Sequence, residues 1–395
     1  MTRIVCILVI LFALLCSTAA QSEPQAVQAV DTSMMQRDDY IRASIIVATP
    51  ASEVYSVFGH CALRLSCPSQ QMDFCFTFET PADSKGLASF LGGKAMGGFM
   101  AAQTQHYLAT YSQAGRGMSE HELNLTPQEK LRLWQLVDEE IAQGFSRRYD
   151  YMHTQCTSML VNIVYRALAK PVVYQVLPTE LDGSFRDMML QAARHANYPW
   201  SEFFWQTIMG PEGDETSPLE QKLTPAMLPT MWRQTTVSDT SRRLIEAEPK
   251  TLTEQASQRS VAQSEWTSPT AVFTLLLIIV LCITFAQWRM GLQRLPRLLD
   301  VVLLLLHTIA SMTLMWLWLF SSLEATEWNW YLPTFNLVPL LLWLLNRQWL
   351  RTICRIYLGV LLAMLLLTPV VPQLDLPHAL ITAILAVRVL MKTKN

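Results

Sequence analysis

Residues 59–78 read GHCALRLSCPSQQMDFCFTF. From Gly59 to Ser66 apolar and polar side chains alternate with the period of a half-buried strand. Cys67-Pro68-Ser69-Gln70 has turn composition, and Phe74 to Phe78 returns with the same alternation. The stretch is a β-hairpin. Upstream, β-branched residues crowd Ile41 to Ala48, as in a buried strand. Downstream the period changes: Thr126-Pro127-Gln128-Glu129 is a capping box with proline at the first helical position. Leu131, Trp134, Val137 and Ile141 then recur at helical spacing until Gly144. A second helix starts near Cys156, with Leu160, Ile163, Val164, Ala167 and Leu168 on one face, and a third covers Phe185 to Ala196. The expected class is α+β with a small antiparallel sheet.

That domain is one part of a longer plan. The chain has 395 residues, 51% hydrophobic and 16% charged, with a mean hydropathy of +0.22; this is too apolar for an ordinary soluble protein and too polar for one wholly in lipid. Arg3, the apolar run Ile4 to Leu15 and the small residues Ser17-Thr18-Ala19-Ala20 make a signal peptide. From about Pro269 five long apolar runs follow: Ala271 to Ala286, Leu298 to Phe320, Tyr331 to Leu345, Ile353 to Val371 and Ala379 to Leu390. They predict an α-helical membrane bundle of about five helices. Arg289, Arg294 and Arg297 follow the first run, Arg347, Arg351 and Arg355 the third, and Lys392 and Lys394 the fifth, while the alternate loops carry Glu324 and Glu327 or Asp375. By the positive-inside rule the basic loops are cytoplasmic, which puts the α+β domain outside, as the signal peptide independently requires. A net charge of −2 without a basic stretch argues against a nucleic-acid partner.

The expected organisation is a signal peptide at 1–20, a flexible segment at 21–36, a folded outer domain at 37–232, a polar tether at 233–268 and a transmembrane domain at 269–395. The tether reading rests on Thr, Ser, Gln and Glu with little periodicity.

The outer domain holds Cys61, Cys67, Cys75 and Cys156. Thiols in an oxidising compartment need a reason. Cys67 and Cys75 flank the hairpin turn and could pair, but the connectivity among Cys61, Cys67 and Cys75 stays open. Strand alternation puts His60, Ala62 and Arg64 on one face and Cys61 on the other, so Cys61 points away from His60. Cys156 opens a helix on the face that packs against the sheet, where the helix N-terminus and a neighbouring imidazole both favour thiolate. A cysteine and a histidine on facing elements are what covalent catalysis requires. The other reading is a buried structural thiol or disulfide partner at Cys156 and a satisfied strand residue at His60. His106, His121, His153 and His195 lack metal-ligand spacing, and neither a metal nor a cofactor is expected.

Ser56-Val57-Phe58-Gly59-His60 with Ala62-Leu63-Arg64, then His121 to Thr126, then Tyr149-Asp150-Tyr151 with Gln155-Cys156-Thr157 occur in an order that resembles the Lnb family, lipoprotein N-acyltransferases of Bacteroides-type bacteria. Phe185-Arg186, Pro199-Trp200 and Met209-Gly210 to Asp214 extend the resemblance over nearly the whole mature chain. The outer domain also resembles a permuted papain-like fold related to NlpC-type cysteine hydrolases. The resemblance implies a periplasmic catalytic domain with Cys156 as nucleophile and His60 as general base. Two departures stand out: Gln155 occupies the place of the usual Asn, and Phe76-Thr77-Phe78-Glu79 replaces the usual motif of the returning strand, which leaves the third polar member unassigned.

The implied chemistry has two steps. Cys156 takes an acyl chain from a membrane phospholipid as a thioester, and the α-amine of a diacylglyceryl-cysteine lipoprotein then accepts it. Two backbone N–H groups at the start of the Cys156 helix would serve an oxyanion hole. Pulling a chain of about 16 carbons from lipid costs on the order of 12 kcal/mol, so a site at the bilayer surface suits this reaction. Arg64, Tyr151, Trp328, Asn329 and Asn336 are the expected substrate-binding residues, the last three on an outward loop with interfacial aromatics. The implied location is the bacterial cytoplasmic membrane, crossed several times, with the N-terminal domain in the periplasm. Two rivals remain: a membrane-tethered cysteine hydrolase of peptidoglycan or peptides, for which one anchor would suffice, and a non-catalytic envelope scaffold.

Overall fold

Strand and helix periods materialise where the sequence places them. The computed structural model describes residues 40–51, 56–81, 86–174, 183–215, 223–238, 240–255, 265–344 and 347–394; the expected signal peptide and the 21–36 segment lie outside these. In chain order the sheet domain comprises β1 (Arg42–Ala48), β2 (His60–Cys67), β3 (Met72–Glu79), α1 (Leu87–Leu91), β4 (Met96–Gln103), α2 (Thr104–Gln113), β5 (Met118–Glu122), α3 (Pro127–Ala142), β6 (Arg147–Arg148), α4 (Cys156–Ala167), β7 (Val172–Tyr174), α5 (Phe185–His195), α6 (Pro199–Ile208), α7 (Leu228–Arg233), β8 (Thr235–Val237) and β9 (Lys250–Thr253). Seven strands form one sheet in the order β6-β4-β3-β2-β1-β5-β9, antiparallel throughout, with Ile45 opposite Leu63 and Leu63 opposite Phe76.

The alternation of β2 and β3 sorts their side chains onto two faces. Cys61, Leu63, Leu65, Phe76 and Phe78 pack against Leu133 and Leu136 of α3 and Leu160 and Val164 of α4. Ala62 and Cys75 face Tyr107 of α2. Burying each large apolar side chain contributes about 1.5–3 kcal/mol, which is what holds the helices on the sheet. The Thr126–Glu129 capping box forms as expected.

Two expectations give way here. Cys67 and Cys75 are both free thiols. Their register explains it: Cys67 opposes Met72 and Cys75 opposes Arg64, so the two sulfurs leave the hairpin on opposite faces. The stretch read as a tether is also largely folded. β8 pairs with β7, β9 extends the main sheet beside β5, Leu244 and Ile245 are buried, and Arg242 pairs with the buried Glu129 at 2.8 Å. Strands of three and four residues are too short to show a period in the sequence.

Five helices follow: α8 (Pro269–Met290), α9 (Arg294–Phe320), α10 (Val338–Leu344), α11 (Arg347–Leu367) and α12 (Leu376–Lys394). Among the described residues α8, α9 and α12 are long and apolar enough to cross a membrane. The third apolar run departs from its expected form, since Tyr331 to Leu337 are turns and only seven residues are helical. Pro333 cannot donate a helical hydrogen bond, and neighbouring helices satisfy the irregular backbone instead. His307 Nε2 and Ser311 Oγ bond the Asn336 carbonyl at 3.0 and 3.2 Å, and Tyr357 bonds that of Thr334 at 2.7 Å. At the end of the bundle remote from the sheet, Arg388 ties α12 to Asp300 of α9 and Thr284 of α8, at 2.7 and 2.8 Å.

The sheet domain sits on the other end. Ser321 Oγ donates to Leu91 O at 2.6 Å, Gly210 N to Ala325 O at 2.7 Å and Asn329 Nδ2 to Thr207 O at 2.7 Å. Gly210 is required there, because a Cβ would lie 2.1 Å from the Glu327 carbonyl oxygen. Met188, Met189, Trp205 and Tyr151 of the sheet domain pack in one cluster with Leu314, Leu317 and Met364 of the apolar helices.

Candidate active site

His60 and Cys156 each begin an element, and that position lets opposite faces of the sheet meet. β2 stays paired with β1 as far as His60 opposite Ala48, but its ladder with β3 ends at Leu63 opposite Phe76. Gly59 makes the entry into β2 possible, with φ of +84° and so close an approach to the Ala48 carbonyl that a Cβ would stand 2.7 Å from its oxygen. At the start of α4, Gln155 is the N-cap, and its side chain accepts the Thr157 N–H at 2.7 Å and also caps Ser158. The expected pair of free helix N–H groups is thus taken up by Gln155, leaving the N–H of Cys156 itself outside the cap.

The Cys156 sulfur, on a residue 8% exposed, is held well below the usual thiol range. The Cys61 thiol donates a hydrogen bond to it, His60 adds charge and a further hydrogen bond, and the Cys61 main-chain N–H also donates, together outweighing burial. Cys61 is pushed well up by the same contact and by burial, so it remains a thiol and a donor. Burial disfavours the charged His60 imidazole, but the Cys156 sulfur and Glu79 more than offset this and raise its pKa. The resting state is a thiolate–imidazolium pair.

The third polar member lies on the returning strand. His60 Nε2 is 2.5 Å from Thr77 Oγ1 and 3.7 Å from Glu79 Oε1, and the ring stacks on Tyr111 with centroids 5.9 Å apart. Alternation along Phe76-Thr77-Phe78-Glu79 turns Thr77 and Glu79 to the face of His60, a clue the sequence contains once the hairpin register is known. Cys61 was the residue missed. It does leave β2 on the face opposite His60, but α4 begins at the end of the strand and its first side chain reaches both.

The pair opens on a cavity lined by Phe58, Phe90, Tyr149, Tyr151, Phe185 and Trp205. Tyr151 is brought to the site, and the buried Tyr151 Oη and Trp205 Nε1 have no hydrogen-bond partner among the described residues. The other expected substrate contacts are not brought there. Arg64 is engaged by Asp73 at 2.9 and 2.7 Å and by Glu120 at 2.8 Å. Asn329 is 3% exposed and, like Asn336, spends its amide on local backbone. Trp328 is exposed on the loop, edge-on to Trp318 at 6.2 Å.

Fold and site together define a membrane protein whose sheet domain carries a thiol–imidazole centre at its junction with the apolar helices. Residues 36–181 match the Lnb N-terminal periplasmic domain and residues 261–394 the Lnb transmembrane domain. The chain belongs to the Lnb family, and its sheet domain is periplasmic. No curated protein and no solved structure gives a match.

Proposed function

We propose that this protein is a lipoprotein N-acyltransferase of the cytoplasmic membrane. The Cys156 thiolate attacks the carbonyl of a phospholipid acyl ester, forming the S–C bond. The C–O bond of the ester then breaks, and the His60 imidazolium gives its proton to the departing alkoxide, so that a lysophospholipid leaves. The α-amine of a diacylglyceryl-cysteine lipoprotein next attacks the thioester, His60 takes the amine proton, and the thiolate is regenerated. Thr77 and Glu79 hold the imidazole in register and offset its charge. No metal or cofactor enters the scheme.

One observation carries this reading. The thiolate stands at the floor of an apolar, aromatic cavity whose wall, through Tyr151, Phe185, Met188 and Trp205, packs directly on Leu314, Leu317 and Met364 of the apolar helices. An acyl chain can reach the sulfur along that wall without crossing water, which avoids about 0.8 kcal/mol per exposed CH₂. Trp328 suits the rim as an interfacial anchor.

The test is mass spectrometry of a lipoprotein's N-terminal lipopeptide in a host lacking its own N-acyltransferase. Wild type is expected to add an N-acyl chain and Cys156→Ala none. A free amine in both, with the protein folded in the membrane, would sink the reading and favour the hydrolase.

A further inference from the structure

The attack of a thiolate on an ester carbonyl moves negative charge onto the carbonyl oxygen, and an enzyme accelerates that step by aiming donors at the oxygen. The Gln155 cap occupies the N–H groups of Thr157 and Ser158. A second donor beside the N–H of Cys156 must therefore come from a side chain in the cavity.

Tyr149 meets the requirement. Its main-chain N–H is anchored to Ala95 O at 2.8 Å. Its ring is fixed by stacking on Phe78 at 6.0 Å and by Phe90 at 5.6 Å, and a Cβ at Gly97 would stand 3.4 Å from it. Tyr149 lines the same cavity as Cys156 and His60. No hydrogen bond is made by its hydroxyl among the described residues, whereas Tyr165 and Tyr174, farther along the domain, bond each other at 3.2 Å.

We propose that the Tyr149 hydroxyl is the side-chain donor of the oxyanion hole, hydrogen-bonding the oxygen that becomes negative when the Cys156 sulfur adds to an ester carbonyl. The S–C bond forms as the carbonyl π pair moves to the oxygen. As the pair returns, the ester C–O bond breaks and the alkoxide takes the His60 proton. Tyr149 keeps its own proton throughout. Consistent with that, burial and the neighbouring Cys156 charge hold the phenol well above its usual range. The assignment rests on the acyl-transfer reading for the natural ester, while the role itself applies to any ester carbonyl presented to Cys156.

The experiment compares two reactions of one thiol in the full-length protein in detergent. Iodoacetamide alkylates Cys156 by displacement, with no oxyanion, whereas p-nitrophenyl butyrate and phosphatidylethanolamine micelles acylate it through one. Tyr149→Phe is expected to alkylate within about twofold of wild type and to form the acyl-thioester, followed by intact mass, about 10²–10³ times more slowly. Acylation of the variant at the wild-type rate, or an equal fall in alkylation and acylation, overturns the assignment. If nitrophenyl ester acylates wild type in a Tyr149-dependent way but phospholipid does not, the oxyanion role stands and the phospholipid reading fails. A wild-type thiol that alkylates yet accepts acyl from neither ester overturns both.

Discussion

Replacing Arg186 with Met tests how the periplasmic domain is held at the membrane. The side chain is 2% exposed. Its Nε donates to Asp214 Oδ1 at 2.7 Å and its Nη2 to Asp214 Oδ2 at 3.2 Å, to Gly210 O at 2.7 Å and to Met209 O at 3.1 Å. Those carbonyls belong to the turn that carries Gly210 N to Ala325 O, and Gln373 Nε2 also bonds Met209 O. Methionine fills similar volume but leaves a carboxylate and two carbonyls without their donor. Breaking a buried pair by removing one partner costs about 3–5 kcal/mol. Asp214 is 31% exposed, so water takes over part of its share and the expectation falls near the lower end, about 3 kcal/mol. For a domain of this size that is a fall in melting temperature of roughly 6–12 °C. The assay is thermal unfolding of the full chain in detergent, with Cys156 alkylation at low temperature as a check that the thiol centre is intact. A variant that melts within about 2 °C of wild type would refute the claim that this guanidinium clamps the junction.

The thiolate assignment predicts an alkylation rate for Cys156 that is nearly flat from about pH 6 to 8, whereas an ordinary thiol with pKa about 8.5 gains close to tenfold per unit there; His60→Ala should restore much of that rise, and a tenfold-per-unit slope in wild type would exclude the ion pair. Thr77→Val removes the hydroxyl beside His60 Nε2 while keeping shape, at a cost of about 0.5–1.5 kcal/mol, so acyl-thioester formation should slow roughly 2–10-fold, and an unchanged rate would remove Thr77 from the site. Burial, then the hydrogen bond and charge of Glu324 across the junction, push Glu212 up to about 7. A carboxyl raised in the folded state favours its neutral form, so stability is lost as pH climbs from the ordinary carboxylate range through 7. Melting should therefore drop between about pH 5 and 8 more in wild type than in Glu212→Gln, and equal drops would show that the two carboxyls do not share a proton.

What the sequence by itself determined was local. Alternation over β2 and β3, the cap at Thr126, the helix starting at Cys156 and the apolar runs past Pro269 all depend on neighbours within a few residues, and each appears in the structure at about its expected place. His60 and Cys156 were legible for the same reason, one from its strand face and the other from its helix terminus. Tertiary structure alone decided which groups surround that pair. Cys61 reaches Cys156 across 95 residues because α4 ends level with the strand. Thr77 and Glu79 face His60 only through the hairpin register. The short strands β8 and β9 gain their stability from partners already in place rather than from any period of their own. The Arg186 clamp, buried against a loop some 28 residues away, exists only once the periplasmic domain has docked on the apolar helices. Periodicity fixes which side of an element is apolar, but where two elements meet is set by how their side chains pack, and that depends on the whole chain at once.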